Sequence, residues 1–253
     1  MTRISYTARG PRHGGAIVFV HGWGCCRHDF DDLIHYLPDN HRVLAIDLAE
    51  HGDSRSTRTS WSMDEFGRDI VSVLEAEGIR DSVIVGHSLG GAAAVEAAAL
   101  SPDSVSRVVA LDALHYMFLF PPLSNQQEET ALAPFRNDFS SAVRGMVEAG
   151  SPAGTEEELI EAYVEQMSSV RQPAGLKSME GLVHWDMNSA LARANQPITV
   201  FAVHSLLSPQ AVEKYGDRIT FVPIELGSHH FAREAPEETA QVLMSEITGR
   251  DNT

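Results

Sequence analysis

Basic residues are scarce in this sequence: 19 Lys and Arg face 35 Asp and Glu, leaving a formal charge of -16. A phosphate backbone or an anionic membrane surface repels such a chain, so neither nucleic acid nor membrane is an expected partner. Cysteine is scarcer still, with only Cys25 and Cys26, side by side. Two adjacent thiols build neither a disulfide framework nor a four-thiolate zinc site; they read as two small buried hydrophobes. No apolar run approaches the roughly 18 residues of a membrane helix, and residues 1–10 lack the apolar core of a signal peptide. These absences point to a cytoplasmic protein. No fixed-period repeat or low-complexity block interrupts the chain.

What is present is a core. Hydrophobic residues make up 43% of 253 and charged residues 21%, the balance of a globular domain rather than a disordered one. Short β-branched runs cover residues 16–20, 42–46, 82–85, 107–111, 198–203 and 219–224, and the first two read as buried on both faces, as parallel strands are. Long connections separate them and carry helical spacing. Ser62 with Glu65 reads as a capping box ahead of Phe66, Ile70, Val73 and Leu74, and Gly78 as the stop. The Ala-rich stretch 89–100 is a second helix, and Pro236 and Gly249 bracket a last one. The expected fold class is α/β, a mostly parallel twisted sheet of at least six strands flanked by helices. The alternation breaks after Asp112. Residues 116–194 are expected to form a helical cap, with a helix beginning near Thr155 and Glu158, over a core of residues 1–115 and 195–253.

Chemistry concentrates at Gly86-His87-Ser88-Leu89-Gly90, where a strand turns directly into a helix. That context is what a nucleophile elbow requires: glycines allow the tight turn, and the helix N-terminus aims amides at developing negative charge. The N–H of Leu89 and that of Trp23, after the first confident strand, are the expected oxyanion donors. A base is expected from His229 or His230, beyond the last strand. Here the chain resembles the α/β-hydrolase family, in which the histidine follows the last core strand and often precedes an acid by five residues and a proline by seven. Glu234 and Pro236 then select His229, while the pairing of His230 with Phe231 keeps His230 as the alternative. The family's commonest position for the acid, after the penultimate strand, falls on residues 203–209, which contain no carboxylate. Asp112 ends the preceding strand, where some branches of the family draw their acid, and is the expected third group; Asp186 is its competitor. Residues 47–54 look like the family's Asp-x-x-Gly-His-Gly-x-Ser loop, with Glu50 in place of the usual glycine. The resemblance runs from Ile17 to Val242.

The resemblance implies a serine hydrolase of a carboxylic ester or lactone: Ser88 attacks, His229 moves the proton, and Asp112 orients His229. A small apolar or aromatic substrate would rest against Trp23, His87, Tyr116, Phe118, Phe120 and Trp185. No cofactor is expected, since Gly22-x-Gly24 lacks the rest of a dinucleotide fingerprint. No metal is expected either, because the 12 histidines fall in no ligand spacing. A second implication is a cofactor-free dioxygenase of the kind that cleaves 3-hydroxy-4-quinolone rings. That branch is similar to this chain in its Gly-Trp pair, its acid after the earlier strand and the missing later acid; its His-Asp dyad does the chemistry and serine only positions the substrate. A third is a receptor-like member that binds its ligand and turns over slowly. No oligomeric state is assigned.

Overall fold

The computed structural model describes residues 2–117 and 123–249. Its sheet has seven strands in the order β1-β3-β2-β4-β5-β6-β7. These are β1 (Tyr6–Arg9), β2 (Ala16–Val20), β3 (Arg42–Ile46), β4 (Ser82–His87), β5 (Arg107–Leu111), β6 (Ile198–Val203) and β7 (Thr220–Ile224). Only β1 runs antiparallel, against β3; the other neighbours are parallel. The chain leaves β2 toward β3 on one side and then builds β4 to β7 on the other. Strand order therefore reverses beside β2, and in open α/β sheets the crevice at the carboxyl ends there is where ligands bind. β1 escaped the sequence reading because it is a short, half-exposed edge with no buried run.

Alternation along the strands assigns each side chain to one of two layers. Val18, Leu44, Ile84, Val108 and Val200 face α2 (Met63–Glu77), α3 (Leu89–Leu100) and α8 (Met187–Arg193). Phe19, Ala45, Val85, Val109 and Phe201 face the opposite way, onto α1 (Asp31–His35), α10 (Phe231–Glu234) and α11 (Pro236–Thr248). Both β2 and β3 are buried over their whole length, each large side chain contributing about 1.5–3 kcal/mol. Between β5 and β6 the chain inserts α4 (Asn125–Asn137), α5 (Phe139–Ala149), α6 (Glu157–Ser168), α7 (Ala174–Val183) and α8; α9 (Pro209–Tyr215) lies between β6 and β7. No helix among the described residues is long and apolar enough to cross a membrane.

Local signals held with two amendments. Ser62 accepts the Glu65 N–H at 3.3 Å and Gly78 ends α2 at φ 68°, but the Glu65 carboxylate does not return a bond, so only half of the capping box forms. Thr155 does not start α6: its hydroxyl donates to the Pro152 carbonyl at 2.8 Å, and the helix begins at Glu157.

The elbow depends on close packing of backbone. A methyl on Gly90 would be driven into the Val20 carbonyl, and one on Gly86 into the Gly90 carbonyl. These glycines let α3 lie directly against β2 and β4. Gly90→Ala is expected to lower stability by about 1–3 kcal/mol, the usual cost of overpacking, read as a lower urea midpoint at unchanged slope. A midpoint equal to the wild type's would show that the helix has room to shift.

Candidate active site

Three strand ends deliver the expected groups. β4 runs into Ser88, the N-cap of α3, at φ 52° and ψ -120°, a region that costs a side chain about 1–3 kcal/mol. The Ser88 N–H donates to the Leu111 carbonyl at 3.1 Å and its carbonyl accepts from Gly91 N–H at 2.9 Å, so the strain is held from both sides. The Gly22-Trp23 turn abuts this elbow: a Cβ on Gly22 would stand 3.0 Å from Ser88 Cβ and 2.9 Å from His87 Nδ1. Leu89 opens α3 and is buried. Its N–H is among the first amides of the helix, which lack intrahelical partners.

β5 ends at Asp112, fully buried and at φ 45°. Its Oδ1 accepts from Val203 N–H at 2.8 Å and lies 3.1 Å from His115 Nε2. Its Oδ2 lies 2.6 Å from His229 Nδ1 and also accepts the Tyr116 hydroxyl. Burial pushes the Asp112 carboxyl up, but hydrogen bonds from His115 and His229 and their charge outweigh it, so the carboxyl is held well below the usual carboxylate range. An ionised Asp112 can only accept, so His229 donates through Nδ1 and its Nε2 carries the lone pair. Tyr116 Oη also lies 3.2 Å from His229 Nδ1; desolvation and the Asp112 charge raise its pKa well above the phenolic value, keeping it a neutral donor.

The hydrogen-bonded line stops at His229. Among the described residues no hydrogen bond joins the Ser88 hydroxyl to His229 or His230, and a serine nucleophile needs its base within that reach. Instead His87 and His230 pack around His229, with ring centroids 4.7, 5.4 and 5.2 Å apart pairwise. Cys25 joins His87 and His230 in a buried group whose donor atoms all lie within 4.8 Å of one another. This corrects the expectation of a Ser-His-Asp hydrolase of esters or lactones: what is assembled is an Asp-His dyad backed by a His-His-Cys cluster, and the serine stands outside the line.

His230, the alternative base, stacks on Tyr163 at 4.0 Å and touches neither Asp112 nor Ser88 through a hydrogen bond. Asp186, the alternative acid, is exposed and caps α8 by accepting from Ser189 N–H at 3.1 Å. His87 is buried and pairs through Nε2 with the His229 carbonyl at 2.9 Å. Burial, then the neighbouring His229, pushes the His87 imidazole down to about 3, so it stays neutral.

Above the dyad lies a cavity of about 590 Å³, with Ser88, Tyr116 and His229 on its floor and Phe135, Met146 and Met179 from α4, α5 and α7 around it. Trp23 lines a smaller annex of about 40 Å³ beside Ser88, His229 and His230; its Nε1 donates to the Gly175 carbonyl at 2.7 Å, tying the turn to the cap. Phe118 and Phe120 lie outside the described residues. Trp185 is not among the described residues that line this cavity; its indole donates to the Glu96 carboxylate at 2.7 Å beneath α3. The lining that sequence reasoning missed is on α5, where Ala142, Gly145, Met146 and Ala149 recur at helical spacing and face the cavity. A stripe of small residues on one face was the signal.

Glu50, standing where the family has glycine, adopts φ 65°. Its carboxylate accepts from Ser56 N–H at 2.5 Å and lies 3.1 Å from Arg171 Nε. Arg171 also donates to the Ser54 carbonyl at 2.7 Å, so this loop is clamped to the segment between α6 and α7.

Residues 17–242 match the family described as Alpha/beta hydrolase family, and the chain belongs to it. It is 30% identical over 233 residues to pimeloyl-(acyl-carrier protein) methyl ester esterase of Methylococcus capsulatus, covering 88% of this chain and 82% of that protein. A 35% match to the non-heme chloroperoxidase of Streptomyces lividans covers 45% of this chain and only 42% of that protein. Among solved structures, the AqdC variant that recognises and cleaves the ring of the Pseudomonas quinolone signal superposes with a TM-score of 0.78 at 19% identity, over 98% of this chain and 100% of that one.

A methyl on Gly145 meets nothing within 4 Å. Gly145→Leu should therefore leave thermal stability equal or slightly raised, by up to about 1 kcal/mol from helix propensity, while filling the cavity and abolishing binding of an apolar fluorescent probe such as anilinonaphthalene sulfonate. Undiminished probe binding would place the ligand space elsewhere.

Proposed function

We propose that this chain is a cofactor-free dioxygenase that opens the ring of a 3-hydroxy-4-quinolone-type molecule, with Asp112 and His229 as its proton-abstracting dyad. The observation that carries this reading is the 2.6 Å bond between His229 Nδ1 and Asp112 Oδ2 on the floor of an apolar cavity, in a line that omits the Ser88 hydroxyl. The fold-level likeness to the quinolone ring-cleaving AqdC variant supports it.

The 3-hydroxyl proton of the substrate passes to His229 Nε2, and the imidazolium so formed faces ionised Asp112. The substrate anion supplies the electrons that reduce dioxygen: two C–O bonds form at the ring carbons on either side of the hydroxyl-bearing carbon, the O–O bond and the two C–C bonds to that carbon break, that carbon leaves as carbon monoxide, and both oxygen atoms stay in the ring-opened product, whose carboxylate takes back the proton from His229. Ser88 and the amides of Trp23 and Leu89 hold the ring oxygens in place. The apolar lining of the cavity strengthens the attraction between imidazolium and carboxylate.

Anaerobic mixing with a 2-alkyl-3-hydroxy-4-quinolone isolates the first step. Wild type and Ser88→Ala should both convert the bound ligand to its anion, seen as a red-shifted absorption band. His229→Ala should not, and Asp112→Asn should form the anion about 10²-fold more slowly. Binding without a red shift in the wild type would contradict the proposal.

A further inference from the structure

We infer that Cys25, His87 and His230 form a buried three-ligand site for a borderline-soft divalent cation of the zinc class, behind the dyad. Their donor atoms lie within 4.8 Å of one another and all three side chains are more than nine-tenths buried. Tetrahedral zinc with bonds of about 2.0–2.3 Å places its ligands about 3.3–3.7 Å apart, so closure requires side-chain movements of about 1 Å. His87 Nε2 donates to the His229 carbonyl, which leaves its Nδ1 lone pair, on the side of the Gly22 turn, as the ligand. The His230 ring makes no hydrogen bond among the described residues and borders the small annex beside Ser88, so a ring nitrogen is open to an ion entering from that side.

Cys25 completes the set. Binding proceeds with exchange: the cation enters, one thiol proton leaves to solvent, and the thiolate bonds the metal. The nearby charges oppose one another, with Arg233 3.5 Å from Asp29. The annex of about 40 Å³ beside His230 and Ser88 has room for a water as fourth ligand, since about 10–15 Å³ suffices for one. The ligands come from the turn after β2, the end of β4 and the loop after β7. These segments also carry Trp23, Ser88 and His229. An ion there would brace them against one another. Two hard carboxylates would suit magnesium or calcium; a thiolate with two imidazoles suits zinc, cobalt or copper.

The test is metal binding by the intact chain after chelator treatment, with no activity needed. Zinc titrated against a chromogenic chelator should bind at one ion per chain and raise the melting temperature, and cobalt should give a thiolate-to-metal charge-transfer band in the near ultraviolet. Cys25→Ser and His230→Ala should each weaken zinc binding at least 100-fold and Cys25→Ser should abolish the band, while Cys26→Ser keeps both. Absence of stoichiometric binding or of the cobalt band in the wild type, or binding that survives both Cys25→Ser and His230→Ala, would overturn the assignment. The wild-type measurements decide the matter even if a variant does not fold.

Discussion

Asp112 carries a negative charge to a position with no exposed surface, and leaving such a carboxylate unpaired would cost several kcal/mol. The structure meets that demand from separate parts of the chain. Val203 N–H reaches it from the end of β6, His115 and Tyr116 from the turn that follows β5, and His229 from beyond β7. The backbone bends through φ 45° at Asp112 and φ 65° at Leu114 to bring the local partners round. Because the carboxylate accepts from every one of them, the orientation of His229 is a consequence of satisfying a buried charge. Besides that charge, the Tyr116 hydroxyl also faces His229 Nδ1, at 3.2 Å.

The rest of the site is arranged around this fixed imidazole by packing rather than by charge. Small residues on α5 leave the cavity open, and Phe135 packs edge-on against Trp23 with ring centroids 5.8 Å apart, so the cap and the turn after β2 share one apolar surface. Arg171 clamps the Glu50 loop to the cap from the other side. Apolar walls with few polar groups suit a small, mostly apolar ligand.

Much of the core was legible because its signals are local. Runs buried on both faces mark β2 to β6, a strand followed at once by Gly86 and Ser88 marks the elbow, and Gly78 and Gly249 stop their helices at φ 68° and 64°. Asp112 could be singled out because no carboxylate follows the penultimate strand. The failures are spatial. Sequence order says nothing of whether Ser88 and His229 share a hydrogen bond, and a triad read from motif positions became a dyad in three dimensions. Cys25, His87 and His230 lie too far apart in the chain to show a ligand spacing, yet meet within 4.8 Å. Trp185, an aromatic residue of the insertion, donates its indole N–H to the buried Glu96 carboxylate beneath α3, which Arg193 also pairs.

In the proposed reaction the dyad, and not the serine, performs the chemistry. The most direct measurement is steady-state dioxygen uptake with a 3-hydroxy-4-quinolone by Ser88→Ala and His229→Ala side by side. Uptake by Ser88→Ala is expected to stay within about tenfold of wild type, with a loss of about 10²–10⁴ in His229→Ala, the range for removing a general base. Equal collapse of both variants, or no uptake by the wild type, would contradict it.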